Sequence, residues 1–399
     1  MTRRELEQAT VQLCSDLIRA KSCSGEEAEA AAVVRGAMQR LGYDEIVTDR
    51  LGNVIGCLHG SRPGPKVLLD GHIDTVPVED AARWSFAPFG GEITDERVLG
   101  RGATDMKGAV AAMICGAAYF AQGRDFAGDI YVAGVVYEEL FEGVASREIS
   151  RRVRPDYVII GEATNLNLKI GQRGRGELVV ETFGRPAHSA NPEKGVNAVR
   201  LMRRLLEAMD MLPVQEHPAL GRGIRVLTDI ISAPYPGASV VPERCTATFD
   251  CRLLTGDTPE SILAPVQTLI DRLHDADSDF RAAVRFRSQT LRCYTGSEIS
   301  AERFFPAWEF PADAPFVQAA FAAIAPLAPK MTYYSFCTNG SHYAGEAGIP
   351  TVGFGPSIES LAHTVDEYVT IEQLEKSAWG YSALCSALTE LGTPKEAAQ

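Results

Sequence analysis

The chain of 399 residues is 45% hydrophobic and 23% charged, with a formal net charge of −13, which excludes a disordered or fibrous class and offers no basic face for nucleic acid. Its longest uncharged apolar stretch, 108–123, is shorter than the roughly 20 residues that cross a bilayer, so no membrane partner is expected. Nine cysteines without a CxxC pair give neither a zinc knuckle nor a disulfide framework, and with Glu5, Glu7 and Gln8 interrupting any amino-terminal apolar run they point to the cytoplasm.

Apolar residues at helical spacing predict a first helix over 5–20, and Ser24-Gly25-Glu26-Glu27 opens a second. Strands are predicted over 45–48, 53–58 and 66–69, with Arg62-Pro63-Gly64-Pro65 as a turn before the last. A helix over 105–122, a strand over 130–136, a helix over 145–152 and a strand over 157–160 complete a β-α-β-α-β rhythm, which implies a mostly parallel sheet flanked by helices. After Arg175 the pattern changes. Strands over 177–183, 224–231, 245–253 and 282–289 with helices over 196–211 and 259–274 give the β-α-β-β-α-β order of a ferredoxin-like module. The α/β style then resumes, with helices over 315–325 and 371–391. The expected organisation is an α/β catalytic domain over 1–175 and 296–399 that carries an inserted ferredoxin-like α+β domain over 176–295.

The run VLLDGHID, 67–74, reads as a buried strand delivering a histidine and a carboxylate at its carboxyl end, where open α/β sheets place their chemistry. Read alone, that pair is a weak sign of a metal site. Asp105, the adjacent acids Glu138-Glu139, Glu162 and His363 strengthen it, because imidazole and carboxylate are the donors that divalent metals take. All lie outside the inserted module. Glu138-Glu139 follow a strand almost directly, so one could bind metal while the other acts as a general base; the alternative is the acidic first turn of a helix. Gly171-Gln172-Arg173-Gly174-Arg175-Gly176 mimics a phosphate loop but lacks the Lys-Ser/Thr ending and is expected to be a flexible crossing between domains. His59, His217, His274 and His342 have no companion ligands by spacing and are expected to be structural or exposed.

Asp70-Gly71-His72-Ile73-Asp74-Thr75-Val76, then Trp84 with Pro88-Phe89, Gly100-Arg101-Gly102-Ala103-Thr104-Asp105-Met106-Lys107-Gly108, Glu138-Glu139 and Gly161-Glu162-Ala163-Thr164 together resemble one family over nearly the whole chain. It is the zinc aminoacylase, acetylornithine deacetylase, succinyl-diaminopimelate desuccinylase and glutamate carboxypeptidase family. By position, the resemblance implies that Asp105 bridges two divalent ions, that His72 and Glu162 complete one site, and that Glu139 and His363 complete the other. It implies Zn²⁺, with Co²⁺ or Mn²⁺ able to substitute. Glu138 would be the general base and Asp74 the acid that holds the metal-bound imidazole through its other ring nitrogen.

In the inserted module, Gly184-Arg185-Pro186-Ala187-His188-Ser189 resembles the family's lid segment, which implies that His188 supports the oxyanion and that the lid pairs two subunits into a homodimer. Arg252 stands where relatives bind a substrate carboxylate; a strand-surface salt bridge is the alternative reading. Two positions depart from the family pattern. Ser239 precedes Val240-Val241-Pro242 where Asn is common, and Asn339 replaces a frequent acid, so both are expected to alter substrate contacts. The implied reaction is hydrolysis of the amide of an N-acyl or N-carbamoyl amino acid, with a short peptide as the alternative substrate.

Overall fold

A computed structural model describes residues 1–394. The described chain divides into two compact units: one comprises residues 1–172, 290–300 and from 308 onward, the other 173–289 and 301–307. The divisions differ from the expected boundaries for a local reason. Phe304 and Phe305 pair with Gly176 and Arg175 of the second unit, whereas the Tyr294 hydroxyl donates to the Gly52 carbonyl of the first at 2.8 Å.

The first unit is built on a nine-stranded sheet. Its centre is parallel, with Ala127–Val135, Arg62–His72, Tyr157–Ile160 and Thr351–Gly353 side by side in that order. Antiparallel strands extend both margins, Val54–His59 and Glu45–Thr48 on one side, Leu168–Gln172 and Trp308–Glu309 on the other. Val67, Leu68 and Leu69 are fully buried, as expected of a strand covered on both faces, which reads as a continuous aliphatic run instead of an alternating one. One face carries helices α1 (Arg3–Arg19), α2 (Ala28–Arg40) and α3 (Gly108–Phe120); α4 (Ser146–Val153) covers the other. Neighbouring residues show the split: a Cβ at Gly71 would meet Met113 and Val110 of α3, while the Asp70 carboxylate accepts from Ser146 of α4. A Cβ at Gly116 of α3 would lie 2.4 Å from the Ala378 carbonyl, so glycine is what lets the last long helix, Ile371–Glu390, pack this closely.

In the second unit the strands Ile224–Ala233, Arg244–Leu253, Gly174–Phe183 and Arg281–Phe286 lie in that spatial order, all antiparallel. The helices Ala198–Asp210 and Pro259–Ala276 supply Leu201, Leu205, Val266 and Ile270 to a core shared with Leu178 and Phe249 of the sheet. Asn197 and Thr258 cap these helices through their side-chain oxygens, and Pro259 stands in the first turn, where its missing N–H costs nothing.

Three local expectations change. Residues 62–65 do not close a turn: Arg62 pairs with Ala127 and pairing resumes at Lys66 with Asp129, so the two prolines, which lack a donor, sit in a bulge. The crossing expected over 171–176 is narrower: 171–172 and 174–176 are strand, and the chain passes from one unit to the other at Arg173 between them. The helix expected from Asp105 begins at Gly108, because Asp105 and Met106 have non-helical backbone angles in the preceding turn, Ala103–Lys107. No helix among the described residues is long and apolar enough to cross a membrane.

Candidate metal centre

Topology brings the acids and imidazoles together. The three adjacent parallel strands Ala127–Val135, Arg62–His72 and Tyr157–Ile160 end at one edge, with His72 paired to Val135 and Asp70 to Ile160. Glu138 and Glu139 follow the first strand, His72 closes the second and Glu162 follows the third. Asp105 comes from the turn before α3, and His363 from a loop after the fourth parallel strand, with a left-handed backbone at φ 61°. Such a backbone is uncommon for a residue with a Cβ and costs strain that the surroundings must hold.

The six side chains meet within the first unit. Asp105 touches both imidazoles, with Oδ1 2.9 Å from His72 Nε2 and Oδ2 3.0 Å from His363 Nε2. Around His72 Nε2 stand Glu162 Oε1 at 3.4 Å and Glu138 Oε2 at 3.7 Å. His363 Nε2 also lies 3.0 Å from Glu139 Oε2. Two donor groups, His72 with Asp105 and Glu139, and His72 with Glu138 and Glu162, each keep their donor atoms within 4.8 Å of one another.

The electrostatics show why a cation suits this cluster. Burial, then the Asp105 charge, push Glu139 up to about 7. Burial lifts Glu138 well above the ordinary carboxylate range, with Glu162, Glu142 and Glu139 adding to it and His72 opposing. Glu162 is raised by burial and Asp105. Burial alone would pull His72 down, but Glu138, Asp105 and Glu162 carry it well above an ordinary imidazole. Hydrogen bonds to Asp105 and Glu139 hold His363 up to about 10. Four crowded carboxylates thus share two imidazoles, and a divalent ion supplies the positive charge that they otherwise draw from protons. A donor set of imidazole nitrogen and carboxylate oxygen fits zinc, cobalt or manganese.

Asp74 is fully buried and is used differently from the expectation. The His72 Nδ1 contact goes to the Asp74 main-chain carbonyl at 2.9 Å, and its carboxylate stands at 3.6 Å. The carboxylate instead accepts the backbone N–H groups of Glu138 and Glu139 at 3.0 and 3.2 Å and the Ser24 hydroxyl at 2.7 Å, because the turn carrying those acids lies directly beside it. Asn339 has partners of its own within the first unit. It is buried, its amide nitrogen donates to Asp70 and its oxygen accepts from Gly143 N–H, both at 2.8 Å. Both ends of the carboxamide are thus engaged as a strut under the sheet.

The other three expected residues lie in the second unit. His188 is exposed, and its Nδ1 accepts the Ala190 N–H at 3.0 Å, so a neutral ring carries its proton on Nε2 as a free donor. Ser239, left-handed at φ 58°, is close by, since its carbonyl accepts from Ser189 at 3.0 Å. Arg252 pairs with Asp250 at 3.4 Å and lines a cavity of about 240 Å³ with Ile224, Leu212 and Ile262.

Sequence reasoning missed Ser24, and it assigned no role to the buried Asp70 carboxylate, which takes bonds from Ser146, Asn339 and Tyr343. Its available signal was a charge inside an otherwise aliphatic strand. A third group of donors, Cys57, His59 and Asp129, sits at the opposite end of the sheet. There His59 pairs with Asp129 at 2.8 Å, and burial pushes the Cys57 thiol up to about 12, so it is a cross-strand ion pair over a protonated thiol.

The profile of peptidase family M20/M25/M40 matches residues 68–387. YgeY, an uncharacterized protein of Escherichia coli (strain K12), is 31% identical over 378 residues, covering 92% of each chain. A succinyl-diaminopimelate desuccinylase of Rhodospirillum centenum is 31% identical over 284 residues, 67% of this chain and 73% of its own. The solved structure of the Bacillus subtilis YXEP protein, titled a dinuclear metal binding peptidase of family M20, superposes with a TM-score of 0.70 at 15% identity, covering 97% of this chain and 99% of its own. With a profile that spans most of the sequence and a fold that agrees, the chain belongs to peptidase family M20/M25/M40 and is by class a metallopeptidase or amidohydrolase.

Proposed function

We propose that the protein hydrolyses the amide bond of an N-acyl or N-carbamoyl amino acid with two divalent ions, Zn²⁺ first among them, and with Glu138 as general base. The observation that carries this reading is Asp105, whose two oxygens face two different imidazoles while three further acids close around them. His72, Asp105 and Glu162 would hold one ion, and Asp105, Glu139 and His363 the other. When bound, the ions would lower the pKa of water and polarise the amide carbonyl.

Glu138 would take a proton from the attacking water and return it to the leaving amine; its buried surroundings, which favour the protonated carboxyl, suit the second step. Asp74 fixes the backbone of Glu138 and Glu139, so base and neighbouring ligand are oriented together. For His188 the family-like segment and the free Nε2–H support a role as donor to the developing oxyanion. Arg252 and Ser239 are the proposed contacts for the substrate's carboxylate end. Nine cysteines, none in a disulfide, support a cytoplasmic location.

A short peptide is the second reading, favoured by the likeness to a structure titled as a peptidase. The deciding test is a panel of N-succinyl, N-acetyl and N-carbamoyl amino acids beside dipeptides, assayed with metal-stripped protein reconstituted with Zn²⁺, Co²⁺ or Mn²⁺. Turnover of acylated amino acids that depends on added metal is expected. Turnover confined to dipeptides favours the second reading, and hydrolysis that persists without metal sinks both.

A further inference from the structure

Glu367 is a charged residue that the reaction described above does not use. It is fully buried. Its Oε2 accepts from Arg101 Nη1 at 2.5 Å. Its Oε1 accepts three backbone N–H groups, from Gly102 at 3.1 Å, Thr104 at 2.9 Å and Asp105 at 3.1 Å. The Glu367 main-chain carbonyl accepts a fourth, from Gly100 at 2.9 Å. Two of the four donors, Thr104 and Asp105, belong to the turn Ala103–Lys107, where the chain departs from helical geometry, and the other two, Gly100 and Gly102, belong to the segment leading into it.

We infer that Glu367 is a positioning residue for the metal centre: it holds the Asp105 backbone so that one carboxylate faces His72 and His363 together, and it does so from the loop that supplies His363. Hydrogen bonds to an ionised carboxylate are about twice as strong as neutral ones, and three on one oxygen fix the backbone leading into Asp105 and the Asp105 amide itself. A displacement of about 1 Å at such a group is enough to spoil a reacting geometry. Arg101 neutralises Glu367, so the clamp adds no net charge beside a site already crowded with acids. Only three residues lie between His363 and Glu367, so one loop contributes one proposed ligand and sets the direction of another.

The inference rests on the two-ion reading, and metal binding separates the two. Metal-stripped protein is titrated with Zn²⁺ and with Mn²⁺ against a competing chelator, with melting of the metal-free form measured alongside. Glu367→Gln keeps the size but turns an amide N–H toward Arg101; its affinity for the ions should fall about 10- to 100-fold, the usual cost of losing a partner behind the ligands. In turnover, kcat should fall with KM nearly unchanged. The double variant Arg101→Met/Glu367→Gln removes the unpaired buried charge that could unfold the single variant, and should show the same loss of affinity in a folded protein. Wild-type protein that binds fewer than two ions would overturn the two-ion reading. Wild type with two ions, beside a folded double variant of unchanged affinity, overturns the role of Glu367. A lower melting temperature with unchanged affinity also overturns it, since that is what a merely structural pair would give.

Discussion

Glu138 and Glu139 show how much a residue's task depends on backbone direction. They are neighbours in sequence, yet Glu138 approaches His72 at 3.7 Å and Glu139 approaches His363 at 3.0 Å. Their amides converge on one carboxylate, Asp74. If Glu138 is the base, Glu138→Gln should retain two bound ions by elemental analysis while kcat falls about 10²- to 10⁴-fold; unchanged amide hydrolysis would remove it from the reaction. Residue types and order made these six positions legible, because few other arrangements place so many acids and histidines just past apolar runs. The hydrogen bonds of Asp74 and Asn339 were not legible. Which oxygen meets which amide is fixed by contacts between segments far apart in the chain, and no local pattern encodes that.

Among the elements, strands and helices with strong periodicity sit within a few residues of their expected ends, whereas turns and crossings shifted. Pro63 and Pro65 signal a break in pairing, but a bulge and a turn use the same residues. Short polar turns are held by charges instead of periodicity, as in the segment Ser341–Glu346. Burial would raise Glu346, but hydrogen bonds from His342 and Arg147 prevail and hold it down at about 2. With an ordinary value of 4.5 in the unfolded chain, the folded state binds fewer protons between those values. The stabilisation is therefore full above about pH 4.5 and is lost as pH falls toward 2. The difference in melting temperature between wild type and Glu346→Gln should be largest above pH 5 and shrink below pH 4; a difference independent of pH would show that the ion pairs contribute nothing.

For the whole molecule, the insertion of a β-α-β-β-α-β module into an α/β domain was legible from the change of rhythm at Arg175. The exact divisions were not, because they depend on which unit the short segments 290–300 and 301–307 pack against. The strand Ile224–Ala233 forms one edge of the module's sheet and exposes Val226, Leu227, Ile230 and Ile231. An apolar edge of this kind is a template for a second chain, which supports the homodimer that the family-like lid segment implies. Replacing Ile230 with Glu should then shift the protein to a monomer in light scattering; a wild type that is already monomeric at micromolar concentration contradicts it. Metal removal should lower the melting temperature by about 5–10 °C, on the basis that an ion held at 100 times its Kd adds about 2.7 kcal/mol. No shift in calorimetry would argue that the centre holds no ion in the native protein.

The left-handed loop at His363 has a consequence for synthesis. During translation His72, Asp105, Glu138, Glu139 and Glu162 leave the ribosome early, and the module follows them before the loop and its last helix, Ile371–Glu390, appear. A nascent chain can begin its sheet, because the three parallel strands beside the centre are all present by residue 160. Until residues 363–367 arrive, however, Asp105 lacks one imidazole and its turn lacks the Glu367 clamp. Competence to hold the proposed ions therefore waits on this loop, and a ribosome-stalled chain ending before it would carry an assembled sheet with an unfinished centre.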